Sequence, residues 1–454
     1  MKQFVRGRFT RPLMCLISAS LAGCQTYQAR PLDMDDMVAS WRSRAASDQA
    51  VQATAARRGT AFDASDGLNA DEGVAVALTF NPHLNSLERA AAVAGAGLAD
   101  VAPLPNPQLE LQARRVLDSG PDGWRIEGGL AFVIPLSDRI GAERDRARAV
   151  VRAEAASLSA ARWALANKVR GAWLRWSEAA SEVGVWQQYA RTMKPLEEAA
   201  RSLSAAGELD STRLGVLELD RLEAQAAQQD AAGRADTLAM ALRQLMGIRP
   251  DAPVTLLPSL EPPANAERAD GAPVVSHPEV LAARATYSAS EHAVRLEIAR
   301  QYPDLRIGPS ASAEGPGALG LGIGLPIPSL DLNRRPIAQS RARRLARQAS
   351  VRLVVEQLLA GAALARANAA RFRARLVRTR QTLLPAVDKQ LDRLAQLAAD
   401  GEIDPLLVRH VLERARQIRL AELKSQALLA LALNDLAATT LAPGVLHENG
   451  VPHE

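Results

Sequence analysis

The sequence predicts a mainly α-helical chain with a small β part, assembled from two copies of one unit. Three observations lead there. Among 454 residues, long stretches lack proline and repeat their apolar residues every three to four positions. Short runs of strict period two stand in pairs ahead of those stretches. The order of these elements is written twice.

The duplication is read from motifs in register. Asn81-Pro82-His83-Leu84 has a counterpart in His277-Pro278-Glu279-Val280, and Asn106-Pro107 in Tyr302-Pro303, both shifted by 196 positions. Gly207-Glu208-Leu209-Asp210 recurs as Gly401-Glu402-Ile403-Asp404, shifted by 194. The chain divides into a leader (1–23), an N-terminal tether (24–70), a first repeat (71–260), a second repeat (261–438) and a tail (439–454). Each repeat reads helix, X-Pro, strand pair, long helix, Gly turn, returning helix.

The leader has a basic start (Lys2, Arg6, Arg8, Arg11) and an apolar run from Pro12 to Leu21. That is a secretory signal, too short to remain as a spanning helix. It ends in Leu21-Ala22-Gly23-Cys24, which resembles the lipobox of bacterial lipoproteins. The resemblance implies cleavage before Cys24, diacylglycerol on its thiol and acylation of the new amino group. Gln25 in place of Asp points, by the same resemblance, to the outer membrane. A plain secretory signal with a chance cysteine is the simpler reading.

Removing the leader takes the formal charge from +5 to +1, so the basic pI gives no argument for nucleic acid. Of two cysteines, Cys15 leaves and Cys24 is lipidated, which excludes disulfides and cysteine-ligated zinc. Ala, Arg and Leu dominate and aromatics make up 4%, as in long exposed helices. After the leader no run is apolar for about 20 residues, so no spanning helix is expected.

The strand pairs fall at 107–134 and 303–327. In the first, Leu109, Leu111 and Ala113 alternate with Gln108, Glu110, Gln112 and Arg114, and Trp124, Ile126, Leu130, Phe132 and Ile134 follow a turn-rich loop at 118–123. In the second, Leu305, Ile307 and Ala311 precede Leu319, Leu321, Ile323 and Leu325, interleaved with Gly320, Gly322 and Gly324. The pattern leaves two readings open. Each repeat carries a small soluble hairpin, or several chains together close a barrel, since four strands cannot close a spanning cylinder alone.

The long hairpins fall at 141–247 and 336–438. A continuous helix from Gly141 to Ala206 would run about 100 Å, with Pro195 a candidate kink. Leu165, Val169, Ala172, Trp176, Ala179, Val183 and Trp186 step by four and three as in a coiled-coil seam, and Leu384, Val387, Leu391, Leu394 and Ala398 repeat it. Such helices pack laterally, as a bundle or a hollow cylinder. Gly207 and Gly401 supply left-handed helix ends, and Asp210 and Asp404 (before Pro405) supply N-caps. Capping explains these residues fully, and Glu208 and Glu402 need no special role.

Taken together, these features resemble the TolC-like outer-membrane efflux proteins over residues 71–438. The resemblance rests on Asn81-Pro82, Pro105-Asn106-Pro107, Phe132-Val133-Ile134-Pro135-Leu136, Gly207-Glu208-Leu209-Asp210, Leu245-Met246-Gly247 and their second-half partners. It implies a homotrimer in which each protomer gives four strands to one shared β-barrel and its helical hairpins to an α-helical barrel. It further implies a passive exit duct for efflux or type I secretion. The partners implied are outer-membrane lipid, a periplasmic adaptor and an inner-membrane pump. The turns Gly207, Glu208, Asp210 and Gly401, Glu402, Asp404 become candidates for an acidic gate and adaptor contact. Two features depart from the pattern. The last strands are glycine-rich, leaving Trp124, Phe132 and Tyr302 as the aromatic girdle, and Leu436-Ala437-Ala438 replaces Leu245-Met246-Gly247.

An enzyme is not expected. His83, His277, His292, His410, His447 and His453 show no metal-ligand spacing. His83 and His277, beside prolines at nearly equivalent positions, read as structural. No phosphate loop or Gly-x-Ser-x-Gly elbow appears. No cofactor is expected beyond the covalent lipid on Cys24. The competing class is a lipid-anchored periplasmic scaffold or adaptor without a pore.

Overall fold

The computed structural model describes residues 27–98, 101, 104–115, 124–263, 274–312, 318–327, 332–399 and 404–440. The leader with Cys24, the turn residues Gly401 and Glu402, and the tail from residue 441 lie outside the described residues. The chain forms two compact units, Met1–Ser43 and Arg44–Glu454. The described part of the first holds one helix, α1 (Met34–Ser43), with Asp35 and Asp36 in its first turn and Arg42 in its last, signs that suit the helix dipole.

The second unit begins with α2 (Gln49–Arg57), α3 (Ala70–Phe80) and α4 (Pro82–Ala96). Strands β1 (Gln108–Arg115) and β2 (Trp124–Pro135) lead into α5 (Arg139–Ala205) and α6 (Ser211–Met246). The order then recurs as α7 (Pro278–Ala299), β3 (Asp304–Ser312), β4 (Ala318–Gly324), α8 (Arg334–Arg378), α9 (Leu384–Ala399) and α10 (Pro405–Thr439). No helix among the described residues is long and apolar enough to cross a membrane.

The long helices treat their internal prolines differently. α5 runs through Pro195, which can give no hydrogen bond to the carbonyl of Arg191 four residues earlier. In the second repeat a π-turn, Thr379–Leu383, separates α8 from α9 just ahead of Pro385. The widened turn carries the chain past the ring and its missing N–H.

The main core lies where α5 meets α3, α6 and the segment after α6. Val169, Trp173 and Trp176 pack with Val74, Leu242, Met246 and Leu256. Trp173 is fully buried and donates its indole N–H to the Leu257 carbonyl at 3.0 Å. Of the expected seam, Val169, Trp176 and Ala179 are buried, while Leu165, Ala172, Val183 and Trp186 are half-buried. α5 is also contacted by α4, α7 and α10, so its buried surface is wider than one stripe.

The X-Pro motifs at Asn81 and His277 are paired latches. Asn81 caps α4 by accepting from the N–H groups of His83 and Leu84 at 3.1 and 3.2 Å. Its amide donates to the Leu245 carbonyl at the end of α6, at 2.9 Å. His277 caps α7, its Nδ1 accepting from the Glu279 N–H at 3.3 Å. Nε2 therefore carries the hydrogen, which it donates to the Ala438 carbonyl at the end of α10, at 2.9 Å. Trp163 donates to the same carbonyl at 3.1 Å and meets the His277 ring edge-on. In each repeat the residue before proline starts one helix and ties down the end of another. His277 is thus the partner of Asn81, and His83 is exposed.

Beside the second latch, α5 and α10 enclose polar groups. Asn434 is buried and donates to the Asn167 carbonyl at 3.3 Å. Asp435 beside it is exposed, yet partial desolvation raises its carboxyl pKa, against the pull of Arg175 and a hydrogen bond from Asn434.

Asn81→Ala and His277→Ala should each lower unfolding free energy by about 1–3 kcal/mol, read from urea unfolding in detergent. Unchanged midpoints would show that the latches are dispensable. Because Asp435 holds its proton more tightly when folded, its contribution is favourable at low pH and is lost as pH rises through the folded value. Asp435→Asn should therefore raise Tm at pH 7 and leave it unchanged near pH 4. A Tm loss at pH 7 would mean that the pairing with Arg175 outweighs burial.

Candidate functional site: the sheet and the hairpin turns

The sheet is antiparallel in the order β1-β2-β3-β4. Its register decides what it can do, because paired residues share a face. Leu109 stands opposite Leu130, Phe132 opposite Ile307 and Ile134 opposite Leu305. Ile307 in turn faces Ile323, and Pro309 faces Leu321. Apart from Val133, the large apolar residues of all four strands therefore gather on one side. That side is bare: Leu109, Leu111, Leu319, Leu321 and Ile323 are 65–91% exposed. An apolar surface of this extent marks a site of association or a membrane contact. The opposite side carries Glu110, Gln112, Glu127, Arg306 and Ser310, with only glycine at 320, 322 and 324.

One glycine sets the strand spacing. A Cβ on Gly308 would sit 1.6 Å from the Leu130 carbonyl oxygen, so β2 and β3 can approach as they do only with glycine there. Among the described residues the outer edges of β1 and β4 have no strand beside them, which leaves two rows of backbone donors and acceptors open. Of the girdle candidates, Tyr302 and Phe132 are exposed, and the Trp124 side chain lies outside the described residues.

The first hairpin turn is built by capping. Gly207 has φ +80°. Its N–H donates to the Ser204 carbonyl and that of Glu208 to the Leu203 carbonyl, at 3.1 and 2.9 Å, which satisfies two helix-end carbonyls. Asp210 then accepts from the N–H groups of Thr212 and Arg213 at 2.7 and 3.3 Å. The Thr212 N–H, above all, holds the Asp210 carboxyl below its ordinary range. The cap contributes above that range and fades as pH falls through the folded value. Asp404 accepts from the Leu406 N–H at 3.0 Å, with Pro405 in the first helical position. Gly207, Glu208, Asp210 and Asp404 are exposed, and among the described residues both aspartates bond only within their own turns.

What joins the two hairpins lies one step further in, and sequence reasoning missed it. Leu209 and Leu217 of the first hairpin share a buried cluster with Leu412 of the second. Arg409 of α10 forms a two-pronged ion pair with Asp220 of α6, one prong at 2.9 Å. Nearby, buried Glu197 is held by Arg201 and Arg221, each at 2.7 Å. Arg416 lies over the rings of Trp186 and Tyr189, 4.3 and 4.8 Å from their centres. Among the described residues no group of three or more His, Cys, Asp or Glu could hold a metal ion.

No protein-family model and no curated protein matches the sequence. Solved structures do match over most of the chain. A membrane protein from Pseudomonas aeruginosa aligns with TM-score 0.67 and 18% identity, over 82% of this chain and 92% of its own. The outer-membrane channel OprN aligns with TM-score 0.66 and 16% identity, over 91% and 98%. The outer membrane protein VceC from Vibrio cholerae aligns with TM-score 0.64 and 18% identity, over 82% and 95%. A mostly helical chain, a small antiparallel sheet with one bare apolar face, and this set of neighbours agree: the chain has the fold of the TolC-like outer-membrane channels.

Proposed function

We propose that this chain is a lipid-anchored exit duct of the bacterial outer membrane. The observation that carries the reading is the sheet, apolar and exposed over one face and unpaired at both edges. Three copies placing β4 of one beside β1 of the next would close a barrel, apolar toward lipid and polar toward the bore. The helical hairpins then continue the bore through the periplasm. Their turns meet a periplasmic adaptor that couples the duct to an inner-membrane pump, for efflux or type I secretion. The duct itself is passive and performs no chemistry. Cys24 carries the lipid. Glu208, Asp210, Glu402 and Asp404 form a carboxylate ring that narrows the inner end and favours cations. Gly207 and Gly401 shape the turns that present them.

Purified protein in planar bilayers, with its oligomer mass measured on the same sample, tests the duct. A trimer that opens discrete, long-lived pores is expected. A non-conducting monomer would sink the barrel and favour an anchored scaffold. Asp210→Ala combined with Asp404→Ala should raise resting conductance. Unchanged conductance in a folded trimer would reduce these acids to helix caps. Intact mass should show a chain beginning at a triacylated Cys24, with the lipid lost in Cys24→Ser; an unacylated wild-type chain would overturn the anchor.

A further inference from the structure

A cavity of about 450 Å³ opens where α5 and α7 meet the sheet, a size usual for small-ligand sites. Its walls come from the start of α5, the end of α7 and the chain that joins those helices to β2 and β3. Helix contacts run from α4 to α5, from α5 to α7 and from α7 to α8. The cavity therefore lies under the two middle strands, away from both open edges, and belongs to one copy of the chain.

The register shows which side of the sheet it opens on. Pro135 stands opposite Asp304, which accepts from Arg139 at 3.2 Å. Glu143, one turn beyond Arg139, meets Arg300 at 3.6 Å. These ion pairs continue the polar side, because Asp304 shares a face with Arg306. Leu136 comes next along the chain and falls on the other side, in line with Phe132 and Ile134. Leu136 and Tyr302 line the cavity and are 53% and 61% exposed. Beside this apolar rim stand two acids, Asp138 and Asp145, and two bases, His292 and Arg295. Asp138 holds the N-cap position of α5, yet its side chain makes no cap bond. Among the described residues His292 and Arg295 have no hydrogen-bond or ion-pair partner. Asp145 has only Arg148 on its own helix, at 3.4 Å and well exposed.

We propose that this cavity binds the headgroup of a zwitterionic aminophospholipid from the periplasmic leaflet. The site rests on the membrane reading above, which puts the helix end of the sheet at the periplasmic surface of the bilayer. Arg295 and the His292 ring N–H take the phosphate. Asp138 and Asp145 take the primary ammonium, whose three N–H donors suit carboxylates. The acyl chains leave along Leu136, Ile134 and Phe132, and Tyr302 lies at headgroup level, where tyrosine is favoured. Both charges of the headgroup are thereby matched. A lipid carrying phosphate alone would bring its charge up against the two acids with nothing to answer them.

Native mass spectrometry of the full-length protein in detergent tests the site, with phosphatidylethanolamine, phosphatidylcholine or phosphatidylglycerol added singly at equal concentration. Phosphatidylethanolamine should bind once per protomer and more tightly than the other two. Arg295→Gln should weaken that binding about tenfold. Asp138→Asn with Asp145→Asn should erase the preference for the primary amine and leave binding through the phosphate. Ala142→Phe, which fills the cavity without changing its charge, should exclude all three lipids. Each variant should keep the wild-type oligomer mass. Equal binding of the three lipids, or binding untouched by these substitutions, would overturn the site. A trimer without bound phosphatidylethanolamine would overturn the site and leave the duct standing, whereas a monomer that still binds it through Arg295 would overturn the duct alone.

Discussion

Four antiparallel strands leave two rows of backbone N–H and C=O groups unpaired, and here they also leave a full face of leucine and isoleucine uncovered. The two edges belong to different repeats, and among the described residues no strand pairs with either edge and no helix covers the apolar side. The helical part has the same property. Its edge helices bury one face against the other helices and leave the other exposed. The core is concentrated along the middle helices, around Trp173 and the Leu209–Leu412 cluster.

Duplication explains how the helix ends are held. Asn81 and His277 perform one task with different chemistry. Each starts a helix after a fixed-φ proline and reaches the last turn of the returning hairpin. An amide does this with a separate donor and acceptor. An imidazole does it only in one tautomer. At the second latch Trp163 of the first repeat donates to the same carbonyl, and Ala438 stands where the first repeat has its Leu-Met-Gly end. Divergence between the halves is thus absorbed at the helix ends, while the sheet register is continuous from β1 to β4.

The readable parts of this architecture are those fixed by local geometry. Strand alternation survives in the sequence because side chains change face at every residue, so Leu109 to Ala113 and Leu319 to Ile323 announced their common side. Gly207, Asp210 and Asp404 were legible as caps for the same reason. Partners distant in sequence were not. Nothing near Asp220 identifies Arg409, and a histidine is not a customary cap, so His277 was seen as structural without its role. Trp173 fell off the expected seam because a single heptad stripe describes a helix packed on one side, and α5 is packed on several. The π-turn before Pro385 was invisible, since Pro195 tolerates a plain α-helix in the equivalent arm.

In the proposed duct the glycines of β4 would give the bore an uneven lining. Where β1 offers Glu110 and Gln112, β4 offers only the peptide groups of Gly320, Gly322 and Gly324 on that side. In a closed wall each copy would contribute one such bald stripe, a shallow channel of amide dipoles between ridges of charged and amide side chains. A surface without side chains cannot grip by size or by sign. Cargo passing along it would meet low friction, and discrimination would fall to the ridges bearing Glu127 and Arg306.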